Sequence, residues 1–178
     1  MSVFVVLLRA IGPVTHKIMS MTQWREAVAA AGFQAPETYV ATGNMVVSGA
    51  GSAEAVTDKM NQIVQELGLG AGNRAVVRTS DQIEALYQAN PLPEASAERP
   101  SEVAAYFFAD PKPDFGWIAD YPGPERISIC REHLVVDYGG RGAGSRLPVI
   151  IERKSGVVTA RNWNTLRGLV ARIAVRTA

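Results

Sequence analysis

The sequence is poor in the residues that build most catalytic and metal centres. It has a single cysteine, Cys130, and two histidines, His16 and His133. One cysteine excludes an internal disulfide, and a zinc cage of Cys and His would lack ligands. Neither histidine is spaced for a Ser–His or Cys–His pair, so we expect both on the surface. The sequence predicts no metal and no cofactor, and its cysteine usage suits the cytoplasm.

Long hydrophobic runs and paired acidic motifs are also missing. The most apolar opening run, Val3–Leu8, is six residues long and is closed by Arg9, so it predicts a buried strand rather than a signal peptide or membrane span. No Asp-x-Asp or Glu-x-x-His occurs, which removes the usual support for metal-assisted hydrolysis. We therefore predict no membrane association. No recognisable catalytic constellation is present, so the sequence leans against an enzyme, and an unfamiliar reaction stays an alternative.

Net charge is nearly balanced but unevenly distributed. Residues 139–178 hold eight Lys or Arg against one acid, a net of +7, whereas the other 138 residues hold 10 basic and 16 acidic groups, a net of −6. The overall balance does not favour a nucleic-acid partner. A positive C-terminal segment can gather small anions. The alternative is that the two charge sets neutralise each other within the fold or across a homodimer.

The hydrophobic patterns of the first half predict a β-α-β-β-α-β unit. Ser20 and Gln23 form a capping box before the first helix, and Ser52 opens the second. Gly43-Asn44 is typical of the turn between the middle strands. Strands are predicted at 3–8, 38–41, 45–48 and 74–79, and helices at 21–31 and from 53 to the glycines at 68 and 70.

The second half repeats this order without a visible repeat of residues. Strands are predicted at 103–108, 126–131, 134–138 and 157–160, and helices at 114–119, 147–154 and 163–176. We therefore predict an α+β fold with two ferredoxin-like (βαββαβ) half-domains in tandem and an extra C-terminal helix. The predicted half-domains are 1–80 and 101–178. Residues 81–100 between them are predicted to form a helix, capped by Ser80, and a linker.

Specific polar residues are densest where the last strand meets the last helix. Asn162 or Asn164 can cap that helix, and the other amide joins Arg161, Thr165 and the free N–H groups of the first turn. Such a cluster of donors at a helix N-terminus can accept an anion. The alternative is structural: Arg161 pairs with a carboxylate, the amides fix loops, and Trp163 anchors the core.

A glycine-rich loop between a strand and a helix is the second candidate. Residues 139–146 contain four glycines with Arg141, Ser145 and Arg146, and Ser145 can cap the following helix. The loop matches neither the P-loop nor the dinucleotide fingerprint. It is therefore either an anion-binding loop or a mobile surface loop. Arg9, at the end of the first strand, is a third cationic candidate, with an ion pair as its alternative.

Short motifs spread over nearly the whole chain match a known family pattern. They are Leu7-Leu8-Arg9 with Ile11, Thr38-Tyr39, Gly43-Asn44-x-Val46-Val47, Ser145-x-Leu147 with Glu152 and Gly156, and Thr159 with Arg161-Asn162-Trp163-Asn164-Thr165. On these residues the chain resembles a bacterial family known only as a domain of unknown function, numbered sixteen ninety-seven. The resemblance implies a two-part α+β protein with a ferredoxin-like first half, and it implies no activity.

Two departures from the family pattern affect the candidate sites. After the first strand this chain has Ala10, Gly12 and Val14-Thr15 where the family usually has Gly, Asn and a Gly-Gly pair, so the first loop is stiffer. Arg146 stands where lysine is usual, which keeps the charge and adds a planar fork.

The predicted function is a binding module for a small phosphate- or carboxylate-bearing ligand. The candidate ligand-binding residues are Arg9, Arg141, Ser145, Arg146, Arg161, Asn162, Asn164 and Thr165. The alternative from another class is a structural or oligomeric scaffold, in which the Arg-Asn-Trp-Asn-Thr run is a folding staple.

Overall fold

A computed structural model describes all residues from 1 to 178, and its internal contacts divide the chain into two compact units. The first unit comprises Met1–Glu84 and Gly168–Ala178, and the second comprises Ala85–Arg167. Each unit contains one four-stranded antiparallel sheet. None of the helices has the combined length and apolarity needed to cross a bilayer.

The first unit has its strands in the order β2-β3-β1-β4, with every neighbouring pair antiparallel. In the chain, two helices separate β1 from β2 and one separates β3 from β4. Its elements are β1 (Ser2–Leu8), α1 (Pro13–His16), α2 (Met21–Ala30), β2 (Gln34–Thr38), β3 (Asn44–Gly49), α3 (Ala53–Glu66), a 3-10 turn (Ala71–Asn73) and β4 (Ala75–Thr79), followed by α4 (Ser80–Ala89), which begins in this unit.

Local side-chain chemistry fixes where the helices of this unit begin. Ser20 Oγ accepts a hydrogen bond from the Gln23 N–H at 3.0 Å, and Gln23 Oε1 accepts one from the Ser20 N–H at 2.8 Å. Ser52 Oγ accepts one from the Ala55 N–H at 3.1 Å. The predicted capping box and the predicted start of α3 are therefore confirmed.

The core of this unit lies between one face of the sheet and α2 and α3. Alternate residues of β1, among them Phe4 and Val6, face Trp24 of α2 and Met60 of α3, and all four are at most 1% exposed. This follows from the two-residue period of a strand meeting the apolar stripe of each helix. The loop after β1 is not fully irregular, because Pro13 begins the short helix α1.

The prediction for β2 was wrong in position. The sequence placed this strand at 38–41, but it spans Gln34–Thr38. Val40 has a φ of +51°, in the left-handed region, and the chain turns there despite its β-forming residue types. Pro36 lies inside the strand and the register shifts between Gln34 and Glu37, both of which are typical of an edge strand.

The second unit has the corresponding strand order, β6-β7-β5-β8, again with every neighbouring pair antiparallel. A 3-10 turn replaces the first helix of the pattern. Its elements are α5 (Pro93–Glu98), a 3-10 turn (Pro100–Glu102), β5 (Val103–Phe108), a 3-10 turn (Gly116–Asp120), β6 (Arg126–Cys130), β7 (His133–Asp137), a 3-10 turn (Gly142–Gly144), α6 (Leu147–Ser155), β8 (Val158–Asn162) and the start of α7 (Trp163–Thr177).

The core of the second unit packs α6 and the segment after β5 against one face of its sheet. Tyr106 and Phe108 of β5 lie with Leu147 and Ile151 of α6, and all four are at most 6% exposed. Trp117 joins this core at its edge and donates a hydrogen bond to Ser155 Oγ at 2.9 Å. A single turn around Trp117 thus takes the place that a full helix has in the first unit.

The segment between the two sheets differs from its prediction in local structure. Thr79 rather than Ser80 caps α4, because Thr79 Oγ1 accepts from the Gln82 N–H and Gln82 Oε1 accepts from the Thr79 N–H. The Pro-rich stretch predicted as an irregular linker contains α5, in which Ala95 and Ser96 are buried. Ser96 Oγ donates to Asn90 Oδ1 at 2.7 Å, so polar bonds hold a segment that has no apolar period.

The predicted fold class is confirmed. The protein is α+β, with two four-stranded antiparallel sheets of corresponding strand order, and with a C-terminal helix. This helix, α7, begins with the last five residues of the second unit and continues through residues 168–177, which belong to the first unit.

Candidate functional site

An open groove of about 430 Å³ lies on the second unit beside the glycine-rich loop. Three of the predicted site residues, Arg141, Ser145 and Arg146, line it together. The remaining lining residues are Pro124, Glu125, Gly140 and Gly144. The loop joins β7 to α6, so its two ends are fixed by a buried strand and a packed helix.

The N–H groups of the glycine loop are largely used by acceptors within the chain. The Gly139 N–H donates to Asp137 Oδ1 at 2.9 Å, and the Gly140 N–H donates to Glu102 Oε2 at 3.2 Å. The N–H groups of Arg141, Gly144 and Ser145 donate to main-chain carbonyls. The loop is therefore held by internal carboxylates and carbonyls, and any ligand of this groove has to be bound mainly by side chains.

Glu125 is the centre of a small hydrogen-bond network in the groove. Its Oε1 accepts from Ser145 Oγ at 2.6 Å, and its Oε2 accepts from the Tyr121 hydroxyl at 2.5 Å. Ser145 Oγ in turn accepts from the Leu147 N–H at 3.1 Å. The prediction that Ser145 caps α6 was wrong in position, because the N-cap residue is Arg146, whose side chain makes no cap hydrogen bond. The hydrogen bonds from Ser145 and Tyr121 lower the pKa of Glu125, with a smaller contribution from the charge of Arg141.

A pair of buried tyrosines lies in the core of the same unit. The hydroxyls of Tyr106 and Tyr138 are hydrogen-bonded to each other, and both rings are at most 6% exposed. Burial raises the pKa of both hydroxyls, and it raises the pKa of Tyr121 to about 12. All three phenols are therefore neutral at physiological pH and act as hydrogen-bonding groups rather than bases.

The two groove arginines carry charges that no acid of the chain neutralises directly. Arg141 and Arg146 are both exposed, and neither makes an ion pair or a side-chain hydrogen bond within the chain. Asp137, the acid at the end of the strand before the glycine loop, binds Arg99, with Arg99 Nε at 3.1 Å from Oδ1 and a second guanidinium nitrogen at 2.5 Å from Oδ2. That pair lowers the pKa of Asp137.

The predicted site residues at the start of α7 are held inside the fold. Arg161 is 8% exposed and donates to Thr159 Oγ1 at 2.6 Å and to the Ala160 carbonyl at 2.8 Å. Burial lowers its pKa to about 10, so the guanidinium is still charged at neutral pH. None of residues 161–165 lines the groove.

The amides of this segment serve the helix itself. Asn162 Oδ1 accepts from the Thr165 N–H at 3.0 Å, which makes Asn162 rather than Asn164 the cap. Asn164 Oδ1 accepts a hydrogen bond from Arg167 one turn further on. Trp163 is 4% exposed and stacks on Tyr87, with ring centroids 5.6 Å apart and an interplanar angle of 22°.

The remaining candidates lie elsewhere. Arg9 belongs to the first unit, where one guanidinium nitrogen donates to the Gly72 carbonyl at 3.2 Å. The prediction that His133 is a surface residue was wrong, because it lies in β7 at 2% exposure, edge-on to Phe107 at 5.2 Å. Cys130 is a half-buried free thiol whose pKa is raised by burial, which disfavours the reactive thiolate.

Sequence reasoning missed three residues that organise the groove. Arg99 fell in the predicted linker, and Tyr121 and Glu125 fell in an irregular segment before β6. Nothing in their spacing links them to the glycine loop, because each is joined to it only through the fold. Asp137 is 4% exposed, and its buried carboxylate requires a cationic partner, but this burial is visible only in the structure.

Comparisons with known proteins identify relatives and a fold. A family model described as "Protein of unknown function (DUF1697)" matches residues 1–128. No curated protein matches. Among solved structures, that of the conserved bacterial protein SP0830 from Streptococcus pneumoniae is similar, with a TM-score of 0.73, 13% sequence identity, and coverage of 96% of this chain and 97% of that one. At this identity the similarity establishes the fold alone.

Proposed function

The chain belongs to the DUF1697 family of proteins of unknown function, and we propose that it is a binding module for a small phosphate- or carboxylate-bearing ligand. The observation that carries the proposal is the pair of exposed guanidinium groups, Arg141 and Arg146, on one groove without an internal ion pair. Guanidinium forks bind carboxylate and phosphate oxygens in a bidentate manner, which gives them both charge and geometry for this task.

The charges of the groove, which is open to solvent on one side, support the binding of an anion. Glu125 also lines the groove, but both of its oxygens already accept hydrogen bonds, from Ser145 and Tyr121. The groove thus presents two positive charges and one negative charge that is held in place. Because the site is open to water, we expect weak binding that falls as salt is added.

The proposed site is narrower than the one predicted from the sequence. It keeps Arg141, Ser145 and Arg146 and leaves out residues 161–165, whose donors serve Thr159, the Ala160 carbonyl and the first turn of α7. Arg9 is also left out, because it lies in the other unit.

Calorimetric titration with inorganic phosphate, pyrophosphate, citrate, AMP and a short oligonucleotide at low salt tests the proposal. The double variant Arg141→Ala/Arg146→Ala is expected to weaken binding by about 10- to 100-fold, the loss of one or two charge-assisted contacts. The matched control is Arg153→Ala/Lys154→Ala, which removes two positive charges from exposed residues of α6 outside the groove. Silence with every anion, or an equal loss in both double variants, would refute the proposal.

A second candidate function is a structural scaffold, and the burial of Arg161 and Trp163 supports it. In that role the Arg-Asn-Trp-Asn-Thr run stabilises the last strand and helix and binds nothing. Arg161→Ala and Asn162→Ala then lower the unfolding free energy and leave every anion titration unchanged. The double variant Arg141→Ala/Arg146→Ala distinguishes the two candidates, because it weakens anion binding if the protein is a binding module and changes no titration if the protein is a scaffold.

A further inference from the structure

One strand edge in the protein lacks the protection that the other edges have. β6 is the outer strand of the second sheet and pairs with β7 only. Its register with β7 is continuous over all five residues, from Arg126 opposite Asp137 to Cys130 opposite His133. It therefore contains no bulge and no proline, two of the features by which edge strands avoid pairing with other chains.

The other edges are blocked in identifiable ways. β2 contains Pro36 and a register shift, and its Ala35 carbonyl accepts a hydrogen bond from Arg176. The residues of β4 from Ala75 to Arg78 are at most 8% exposed. In β8, Thr159 and Arg161 are buried.

β6 is open to solvent by comparison. Arg126 is exposed, and Ile129 is 53% exposed although it carries a large apolar side chain. No hydrogen bond from outside the hairpin reaches the backbone of residues 126–130. In an antiparallel pair alternate residues direct their N–H and C=O groups away from the partner, so β6 presents unpaired donors and acceptors along one side.

We propose that a second copy of this chain binds at the β6 edge, so that two β6 strands pair antiparallel about a two-fold axis and join two sheets into one. The sequence of the edge is complementary to itself in that arrangement. With the axis at Ser128, all five residues of the strand pair, and Ile127 lies opposite the partner's Ile129. The same register brings Glu125, the residue before the strand, near the partner's Arg131, the residue after it, at each end.

These pairings supply both parts of a self-complementary interface. Two Ile127–Ile129 pairs cover the exposed side chains of Ile129, and apolar pairs across neighbouring strands stabilise a sheet. Glu125 and Arg131, which flank the strand, place opposite charges near each other at both ends. A two-fold axis makes every contact occur twice, the arrangement found in most protein dimers. A small interface of this kind gives a dimer that forms with increasing concentration.

The test combines solution mass with a crosslink that depends on the register. Cys130 is the only cysteine, so the Cys130→Ser chain is free of thiols and Ser128→Cys can be introduced into it. In the proposed dimer residue 128 faces its own copy, and mild oxidation is expected to convert most of the Ser128→Cys/Cys130→Ser chain to a disulfide-linked dimer. The unmodified chain is the control, because its Cys130 faces Arg126 of the partner and lies about 13 Å from the partner's Cys130, beyond disulfide reach.

Light scattering from micromolar to hundreds of micromolar protein supplies the second measurement. The mass of the unmodified chain is expected to rise towards twice 19.1 kDa. Ile129→Arg should keep the chain monomeric over this range. Val149→Arg, at an exposed position of α6, should dimerise like the unmodified chain. Equal melting temperatures of the two arginine variants would show that both are folded. A monomeric mass at every concentration would overturn the proposal and leave other strand-forming partners as occupants of the edge. Crosslinking of Cys130 as efficient as that of residue 128 would overturn the proposed register.

Discussion

Replacing Gly168 with alanine tests a contact on which the C-terminal helix depends. Gly168 lies within α7, and the ring of Tyr39 occupies the space that a methyl group at this position would need. The guanidinium carbon of Arg172, one turn along α7, lies 3.8 Å from the centre of the same ring. Tyr39 is therefore fixed between a glycine and a cation on one helix.

Two opposing effects decide the sign of the substitution. Alanine is preferred over glycine inside a helix by about 0.8–1 kcal/mol. The added methyl group overlaps the ring, and overpacking of this kind costs about 1–3 kcal/mol. Displacing Tyr39 also removes its cation–π contact, worth about 0.5–1 kcal/mol at a partly exposed site. We therefore expect Gly168→Ala to lower the unfolding free energy by about 1–2 kcal/mol.

A second background reverses the expected sign. In Tyr39→Ala the ring is absent, so Gly168→Ala keeps only its helical preference and should stabilise by about 1 kcal/mol. Urea and thermal unfolding of the four chains measure both steps, with about 2–4 °C in Tm for each kcal/mol. If Gly168→Ala raised the stability of the unmodified chain, the packing of Tyr39 on this glycine would be refuted.

Three further predictions concern single residues. Ala10 has a φ of +55°, which glycine adopts more easily than alanine, so Ala10→Gly should raise Tm by about 1–3 °C. As a control, Ala29→Gly at an exposed position of α2 should lower Tm. A lower Tm in both variants would contradict the conformational argument. Trp163→Ala should destabilise the chain by about 3–5 kcal/mol in urea unfolding, because it removes a buried stacked ring; a loss below 1 kcal/mol would contradict this. The pKa of Asp137 is lowered chiefly by its bond to Arg99, so this carboxylate stabilises the fold above its unfolded pKa, and the contribution is lost as pH falls through the lower folded value. Asp137→Asn should therefore cost stability at pH 7, and the difference from the unmodified chain should shrink in acid; an unchanged difference down to about pH 2 would exclude the carboxylate as the cause.

The fold could be predicted because its signals are local. The capping box at Ser20 and Gln23 and the periodic apolar residues of α3 are set within a few neighbouring residues, and the structure retains both. The prediction of a strand at 38–41 was wrong because it relied on the strand-like composition of Tyr39, Val40 and Ala41. Val40 nevertheless adopts a left-handed turn, which is anchored by hydrogen bonds from buried Asn44 to the Tyr39 carbonyl and Thr42 Oγ1.

The candidate site could be predicted only in part, because charge type is visible in a sequence and pairing is not. The loop containing Arg141, Ser145 and Arg146 was recognisable from its glycines and its position between a strand and a helix. That the Gly140 N–H serves Glu102, and that Asp137 beside the loop is held by Arg99, depends on contacts between residues far apart in the chain. Residues 161–165 gave the strongest pattern in the sequence. The same set of hydrogen-bond donors can bind a ligand or stabilise the fold, and residue types alone do not distinguish the two.

The division of the chain also constrains how the protein is made. The first unit includes residues 168–178, which are synthesised only after the whole second unit. Until then, the Glu37 carboxylate lacks Arg172, 3.1 Å away in the finished structure, and the Val46 carbonyl lacks Arg176 at 3.0 Å. The first unit therefore gains the contacts made by Arg172 and Arg176 only after the whole second unit has been synthesised.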